Sequence, residues 1–480
     1  MWITHSHLAL PPPTSERGYN IQYPAIHWLN DDILFGIFNC YRLDNQYHWN
    51  YSIGWRKLSH VCQRWRHLVY KSAFLLGMHI ECTNGSPVVD TLDHLPPLPL
   101  LINYRHTMFD VATVTEQDEQ GIYHSLRLHD RVYHINLELP PFNLHNVFVI
   151  LDGQFPMLED LSLTSSDISI SLLPTLPKAF LAPNPRHLTL PSISPPRRLQ
   201  FLTSTVSLVK LDISEIQTSS YFRPRLLVAR LSSLPQLKEM SIGFSIPIPR
   251  PSTERALLGK EGAPVTLPSL KSLWFNGIGG YLESLVAQIR APLLERLSIT
   301  LFNQIAFALP HLFYLINSTK AFMLPNATVL LGGKKVSVTV KPSISESAWS
   351  TKSFRLSVIC EPLDWQIDCA AQICHALMPT LSCVELTLYL DYQDIPTELQ
   401  HGSIDSATWH DLLRSFTGVK MLCINNRFLE ELSRALRVDE VGSDPGFLPN
   451  LQLIGAKDNL FASFIDTRRI VGRPVQFVRW

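Results

Sequence analysis

Cys360, Cys369, Cys374 and Cys383 stand nine, five and nine residues apart, and together they are the chain's densest run of thiols. Four thiolates bind zinc when they converge tetrahedrally, most often from C-x-x-C pairs. No such pair occurs here. A helix carrying positions 369 and 374 would not bring them onto one face, and Cys383 occupies an apolar repeat position described below. Small buried cysteines commonly serve as core, so no metal is expected at them. His5 and His7 form an H-x-H, which supplies two ligands where a metal needs more. No H-E-x-x-H, G-x-S-x-G, G-x-x-x-x-G-K-[ST] or strand-bound G-x-G-x-x-G is present. "GIGG" (277–280) and "LLGGKK" (330–335) read as turns. No catalytic residue and no cofactor are expected from these patterns. A hydrolase or transferase whose site converges only in the fold is the open alternative.

Composition narrows the classes further. Of 480 residues, 46% are hydrophobic and 17% charged, too apolar for a disordered chain. Lys+Arg and Asp+Glu both count 41, so no global charge points to nucleic acid or an anionic membrane. The start, "MWITHSHLALPPPTSERG", lacks the cationic region of a secretion signal. The longest apolar stretch, "IAFALPHLFYLI" (305–316), is broken by Pro310 and His311, and it falls short of the roughly 20 residues a bilayer span needs. The expectation is a soluble intracellular protein, cytoplasmic or nuclear. Eight cysteines suit a reduced compartment.

Beyond about residue 130 the phrase L-x-x-L-x-L keeps returning. Clear copies are "LEDLSL" (158–163), "LVKLDI" (208–213), "LKEMSI" (237–242), "LKSLWF" (270–275), "LERLSI" (294–299), "CVELTL" (383–388) and "VKMLCI" (419–424). "RHLTL" (186–190), "TKAFML" (319–324), "FRLSV" (354–358) and "LQLIGA" (451–456) are weaker. Spacings of roughly 23–36 residues fall around the range of leucine-rich repeats. Each copy predicts a short strand whose alternating apolar residues point inward. One strand cannot bury that face alone, so parallel strands stack and helices return outside. "LESLVAQI" (282–289), "AAQICHAL" (370–377) and "WHDLLRSF" (409–416) predict such helices. The asparagine or cysteine that closes a regular repeat is mostly missing, which makes the solenoid a degenerate one. An ordinary α/β domain with amphipathic strands is the alternative.

Residues 24–76 read as helical. "WLNDDILFGIFNCY" (28–41) places Leu29, Ile33, Leu34, Ile37 and Phe38 on one face, with Asn30 or Asp31 suited to cap the helix. In "WRKLSHVCQRWRHLVYKS" (55–72), Trp55, Leu58, Val61, Cys62, Trp65, Leu68 and Val69 form a second stripe, which predicts an amphipathic helix or helix pair. Residues 1–23 read as a flexible leader, 77–130 as an extended linker region, and 131–480 as the repeat domain.

These two helical segments carry a resemblance. Leu29, Asp32, Ile33, Leu34, Ile37 and Phe38 match the first half of the F-box pattern, and Val61, Cys62, Trp65, Arg66 and Leu68 the second. Asn30 stands where that family usually has proline, which pre-sets a helix's first turn. The gap between the halves carries the extra "DNQYHWNYS". The chain resembles F-box proteins of mushroom-forming fungi that carry a leucine-rich-repeat-like C-terminal domain. The resemblance implies a fold of an N-terminal helical F-box followed by that solenoid of parallel strands and helices. It also implies a function. The F-box would dock on the Skp-type adaptor of a cullin–RING ubiquitin ligase through Leu29, Asn30, Ile33, Leu34, Ile37, Phe38, Val61, Cys62, Trp65 and Leu68, while the repeats capture a client protein. A scaffold for the adaptor outside the ligase is a second possibility.

In stacked strands the residues between the leucines face away from the core and are free to bind. These are Asp160 and Ser162, Lys210 and Asp212, Glu239 and Ser241, Ser272 and Trp274, Arg296 and Ser298, Glu385 and Thr387, and Lys420 and Cys423. Trp274, with Arg296, Lys210 and Glu239, makes the candidate client site. Trp274 is either an exposed aromatic anchor or a residue lying under a neighbouring loop.

Overall fold

The computed structural model describes residues 28–44, 57–72, 79–105, 114–166, 175–196, 199–217, 220–245, 263–302, 308–322, 324–332, 334–342, 352–377, 383–390, 405–425, 429–436 and 448–479. Trp55, His5, His7 and the leader 1–23 lie outside them. The chain divides into two compact units, 1–80 and 81–480.

In the first unit, α1 (Asp31–Asp44) begins at Asn30, whose side-chain oxygen accepts from the Ile33 N–H at 2.8 Å. This is the cap expected of that residue, and Asp31 and Asp32 favour the positive end of the helix. The tryptophan segment takes the second of its two expected forms, a pair of helical pieces. A turn of helix at 57–59 ends, and α2 (Gln63–Lys71) starts afresh after Cys62. Cys62 is extended, and its sulfur accepts from the Trp65 N–H at 3.4 Å. The break turns Val61 outward, 58% exposed. Arg64 ties the two helix starts together by donating to the Leu29 carbonyl and the Asp31 carboxylate, both at 2.6 Å.

The second unit is built on a sixteen-stranded sheet. In chain order the strands are β1 (Ile80–Thr83), β2 (Leu100–Tyr104), β3 (Val132–Leu139), β4 (Asp160–Ser165), β5 (His187–Thr189), β6 (Lys210–Ile216), β7 (Glu239–Phe244), β8 (Val265–Thr266), β9 (Ser272–Gly277), β10 (Ile289–Arg290), β11 (Arg296–Phe302), β12 (Asn326–Gly332), β13 (Lys335–Lys341), β14 (Ser353–Ile359), β15 (Glu385–Leu390), β16 (Met421–Ile424), β17 (Leu453–Ala456) and β18 (Gln476–Arg479). The spatial order is β1-β2-β3-β4-β5-β6-β7-β9-β11-β14-β13-β12-β15-β16-β17-β18, with β8 and β10 pairing separately. Neighbours from β2 to β11 and from β15 to β18 run parallel. Only β13, among the described strands, is antiparallel to its neighbours.

The remaining helices are α3 (Val88–His94), α4 (Glu116–Leu126), α5 (Pro141–Ile150), α6 (Pro224–Leu231), α7 (Gly279–Val286), α8 (Pro310–Ser318), α9 (Leu363–Leu377), α10 (Ser406–Arg414), α11 (Leu429–Ala435) and α12 (Ala462–Ile470). Consecutive helices pack side by side from α3 to α5 and from α6 to α11. Pro141, Pro224 and Pro310 each open a helix, where a missing N–H costs nothing. From Pro310 onward, that apolar stretch forms α8. No helix among the described residues is long and apolar enough to cross a membrane.

The leucines do what their spacing predicts. Leu161, Leu163, Leu211, Ile213, Met240, Ile242, Leu273, Phe275, Leu297 and Ile299 are all at most 2% exposed. Each such side chain contributes about 1.5–3 kcal/mol by leaving water. Packing is tight enough to require glycine at 277, where an added Cβ would lie 2.7 Å from the Phe244 ring.

Two expectations need correcting. The segment 77–130, expected as a linker, supplies β1, α3, β2 and α4. β2 pairs with β3 in the same sheet, and Ile102, Tyr104, Ile122 and Leu126 are buried. The prolines of 96–99 precede the strand without interrupting it. "TKAFML" was expected as a strand, but Lys320–Phe322 is a 3-10 turn and the strand begins at Asn326.

Candidate functional site

Leu34, Phe38 and Val69 close the core of the first unit. Phe38 meets Trp65 edge to face at 4.8 Å, and Trp65 and Leu68 are half-buried. The expected single face of α1 splits along its length. Leu34 and Phe38 point inward, whereas Ile33 and Ile37, one residue or about 100° of helix away, are exposed. With Trp28, 82% exposed, and Val61 they leave four large apolar side chains in water. Asn30 is taken up in capping, and Leu29 and Cys62 are half-buried.

In the second unit, helices and leucines occupy one face of the sheet. The other face is read by register. One row crosses it from β2 to β18: Asn103, Asn136, Ser162, Thr189, Asp212, Ser241, Trp274, Ser298, Arg355, Thr339, Thr328, Thr387, Cys423, Gly455 and Val478. A second row, one pleat earlier, runs His134, Asp160, His187, Lys210, Glu239, Ser272, Arg296 and Ser353. Sequence alternation thus placed most of these residues correctly. In the "VKMLCI" copy the residue facing outward beside Glu385 is Met421, not Lys420, because Lys420 precedes the strand.

The expected client residues come together, and they are engaged with one another. Arg296 donates to the Ser272 hydroxyl at 2.7 Å and to the Glu239 carboxylate at 3.2 Å. Its guanidinium lies 5.7 Å from the centre of the half-buried Trp274 ring. Trp274 is therefore neither a freely exposed anchor nor core; Arg296 caps it. Lys210 lies beside Glu239 in the same row. Further along, Asp160 takes bonds from both His187 and His134. Burial raises the Asp160 carboxyl, but these two imidazoles outweigh it and hold the group below its ordinary value. Asp212 is shifted the other way, pushed up by burial despite bonds from Ser214 and Ser241.

A groove of about 600 Å³ lies over the starts of β12 and β15–β18, lined by Pro325, Asn326, Val384, Glu385, Lys420, Met421, Gln452, Leu453, Pro474 and Gln476. Sequence reading identified Glu385 as outward-facing. The other walls are the first residues of strands or residues just before them: Val384, Lys420, Met421, Gln452 and Leu453 lie within the repeat phrases, and Pro325, Asn326, Pro474 and Gln476 outside them.

The four cysteines have separate fates. The thiols of Cys360 and Cys369 are hydrogen-bonded to each other, which holds Cys360 below the ordinary thiol value and, with burial, drives Cys369 far above it. Burial pushes Cys374 well up and Cys383 up to about 12. A thiol must lose its proton to bind metal or attack carbon, and three of the four resist this. No group of three His, Cys, Asp or Glu residues poised for a metal occurs among the described residues.

No protein-family model matches the chain, and no curated protein matches it. Among solved structures, the leucine-rich repeat-containing protein LegL7 from Legionella pneumophila is similar over 78% of this chain and 89% of its own. The identity is 13% and the TM-score 0.27, a likeness too slight to bear on function. The second unit itself is a mixed α/β array with a long, mostly parallel sheet, consistent with a leucine-rich-repeat-like solenoid.

Proposed function

We propose that the chain is a non-catalytic substrate receptor, with an F-box-like first unit that docks a Skp-type adaptor and a repeat sheet that captures a client protein. One observation carries the docking half. Trp28, Ile33, Ile37 and Val61 remain in water although Leu34, Phe38 and Val69 already close that unit's core. Exposed aromatic and aliphatic anchors are what interfaces use for affinity. The F-box pattern supplies the adaptor's identity, since these same helices carry Asp32, Ile33, Ile37 and Phe38 in the family's order. The long polar face of the sheet supports the capture half. The mechanism is proximity: a bound client presents its lysines to a ligase-held ubiquitin-conjugating enzyme at high effective concentration.

Co-expression of the full chain with a Skp-type adaptor, followed by size-exclusion chromatography, tests the docking half. A co-eluting pair is expected, lost in Ile37→Asp, which places a charge on an already exposed position and leaves the core intact. A folded chain that elutes without the adaptor would refute the assignment.

A further inference from the structure

The charged groups of the groove over the starts of β12 and β15–β18 are unspent, unlike two carboxylates elsewhere on the face. Glu239 and Asp160 are engaged by Arg296, His187 and His134. Glu385, half-buried in the groove wall, makes no ion pair with any described residue, and neither does Lys420 at the rim. The side-chain amides of Gln452 and Gln476 make no hydrogen bond among the described residues. Between them Val384, Met421 and Leu453 expose apolar surface, with Val384 at 41%. The backbone of the floor is already satisfied. Glu385 N–H donates to the Pro325 carbonyl at 3.2 Å, Leu453 N–H to Lys420 at 3.0 Å and Gln476 N–H to Gln452 at 2.8 Å. A ligand there cannot add as a further strand on the floor and must be held by side chains.

We infer that this groove binds an extended segment of a partner protein in which a lysine or arginine stands two residues from an aliphatic or aromatic residue. The inference rests on the reading of the sheet as a capture domain and supplies the chemistry of what is captured. Spacing gives the motif. Met421 and Leu453 lie one and two strands from Glu385 in register, about 4.8 and 9.6 Å away at ordinary strand separation. Residues i and i+2 of an extended peptide share a face and stand about 6.8 Å apart. A cation on Glu385 therefore places the second side chain between Met421 and Leu453. Gln452 and Gln476 can bond the peptide's own amides as it crosses the strands. Lys420 at the rim repels a second cation, so paired basic residues are disfavoured.

The test pans a phage library of random seven-residue peptides against the intact chain. Enriched sequences should carry Lys or Arg two residues from an aliphatic or aromatic one. A synthetic peptide of the leading sequence should bind Glu385→Lys at least about tenfold more weakly than wild type, and changing its basic residue to alanine should weaken it similarly. Glu385→Gln, close in shape, replaces Glu385→Lys if the latter does not fold. The inference is overturned by absence of enrichment, by an enriched motif without a cation, or by equal affinity for a folded Glu385 variant. Adaptor co-elution is a separate readout. Enrichment without adaptor binding sinks only the ligase assignment, and adaptor binding without enrichment sinks only the groove.

Discussion

Replacing Arg296 with alanine should destabilise the repeat unit by about 2–3 kcal/mol, and the structure says where the loss arises. The largest part comes from Ser272, which is 0% exposed and whose hydroxyl accepts from Arg296. Leaving a buried polar group unpartnered costs about 1–2 kcal/mol. The ion pair with Glu239 joins side chains that are 30% and 34% exposed, and a pair so open to water contributes about 0.5 kcal/mol. Loss of the guanidinium over Trp274 adds about 0.5 kcal/mol. Urea unfolding followed by far-UV circular dichroism measures the sum. The decomposition is checked by adding Ser272→Ala to Arg296→Ala, which removes the orphaned hydroxyl and should recover about 1 kcal/mol. Arg296→Lys should recover less, since an ammonium cannot fork to both partners and cover a ring. Arg296→Ala within about 0.5 kcal/mol of wild type would refute this account, as would a double variant no more stable than the single one.

Trp65→Ala removes a half-buried ring packed on Phe38. A loss of about 2–3 kcal/mol is expected in the first unit, below the range for a fully buried tryptophan. Limited proteolysis should show cleavage in 28–72 while the repeat unit resists. Gly277→Ala forces a methyl against Phe244 and Phe275 and should cost about 1–3 kcal/mol by overpacking, visible as a lower urea midpoint. Asp160→Asn should cost about 1 kcal/mol at pH 7 by weakening the bonds from His134 and His187. Because the folded carboxyl sits below its ordinary value of 3.8, its stabilisation is present above that value and is lost as pH falls through the folded one. Wild type and variant should therefore converge in acid, and a stability gap that widens as pH falls below 3.8 would contradict this sign.

Period-two alternation carried most of the second unit. It is robust because one face of each strand is buried, so a slip of one residue would expose every leucine. The sequence reading failed where the leucine phrase is absent, even on a strand that alternates as strictly as β13. β13 fits no repeat because it is an antiparallel insertion between β12 and β14. The "LLGGKK" stretch spans the end of β12 and the start of β13, whose antiparallel pairing joins Gly332, at φ 146, to Lys335. β2 was read as linker because Pro96, Pro97 and Pro99 crowd the approach to its five residues, and β1, four residues long, carries no copy of the phrase. In the first unit, helical spacing found both helices but merged two neighbouring stripes of α1, since Ile33 and Leu34 are both aliphatic and only packing tells them apart. Residues that do lie between leucines, such as Trp274 and Arg296, were legible as outward-facing. Their engagement with one another was not, because it depends on which strands are neighbours.

Those pairings govern what the open face can bind. Adjacent strands bring row-mates to about 4.8 Å, and like charges so close destabilise the sheet. The observed rows avoid this by interposing hydroxyls and alternating signs, as in Asp160, His187, Lys210, Glu239, Ser272 and Arg296. Each internal pair also reduces what a partner can gain. A ligand cation meeting Glu239 must compete with Arg296, and the Arg296 it displaces would leave Ser272 unpartnered at about 1–2 kcal/mol. Glu385 offers the same carboxylate with no internal ion pair among the described residues to break. A cationic partner is therefore expected to meet less internal competition at Glu385 than at Glu239 or Asp160.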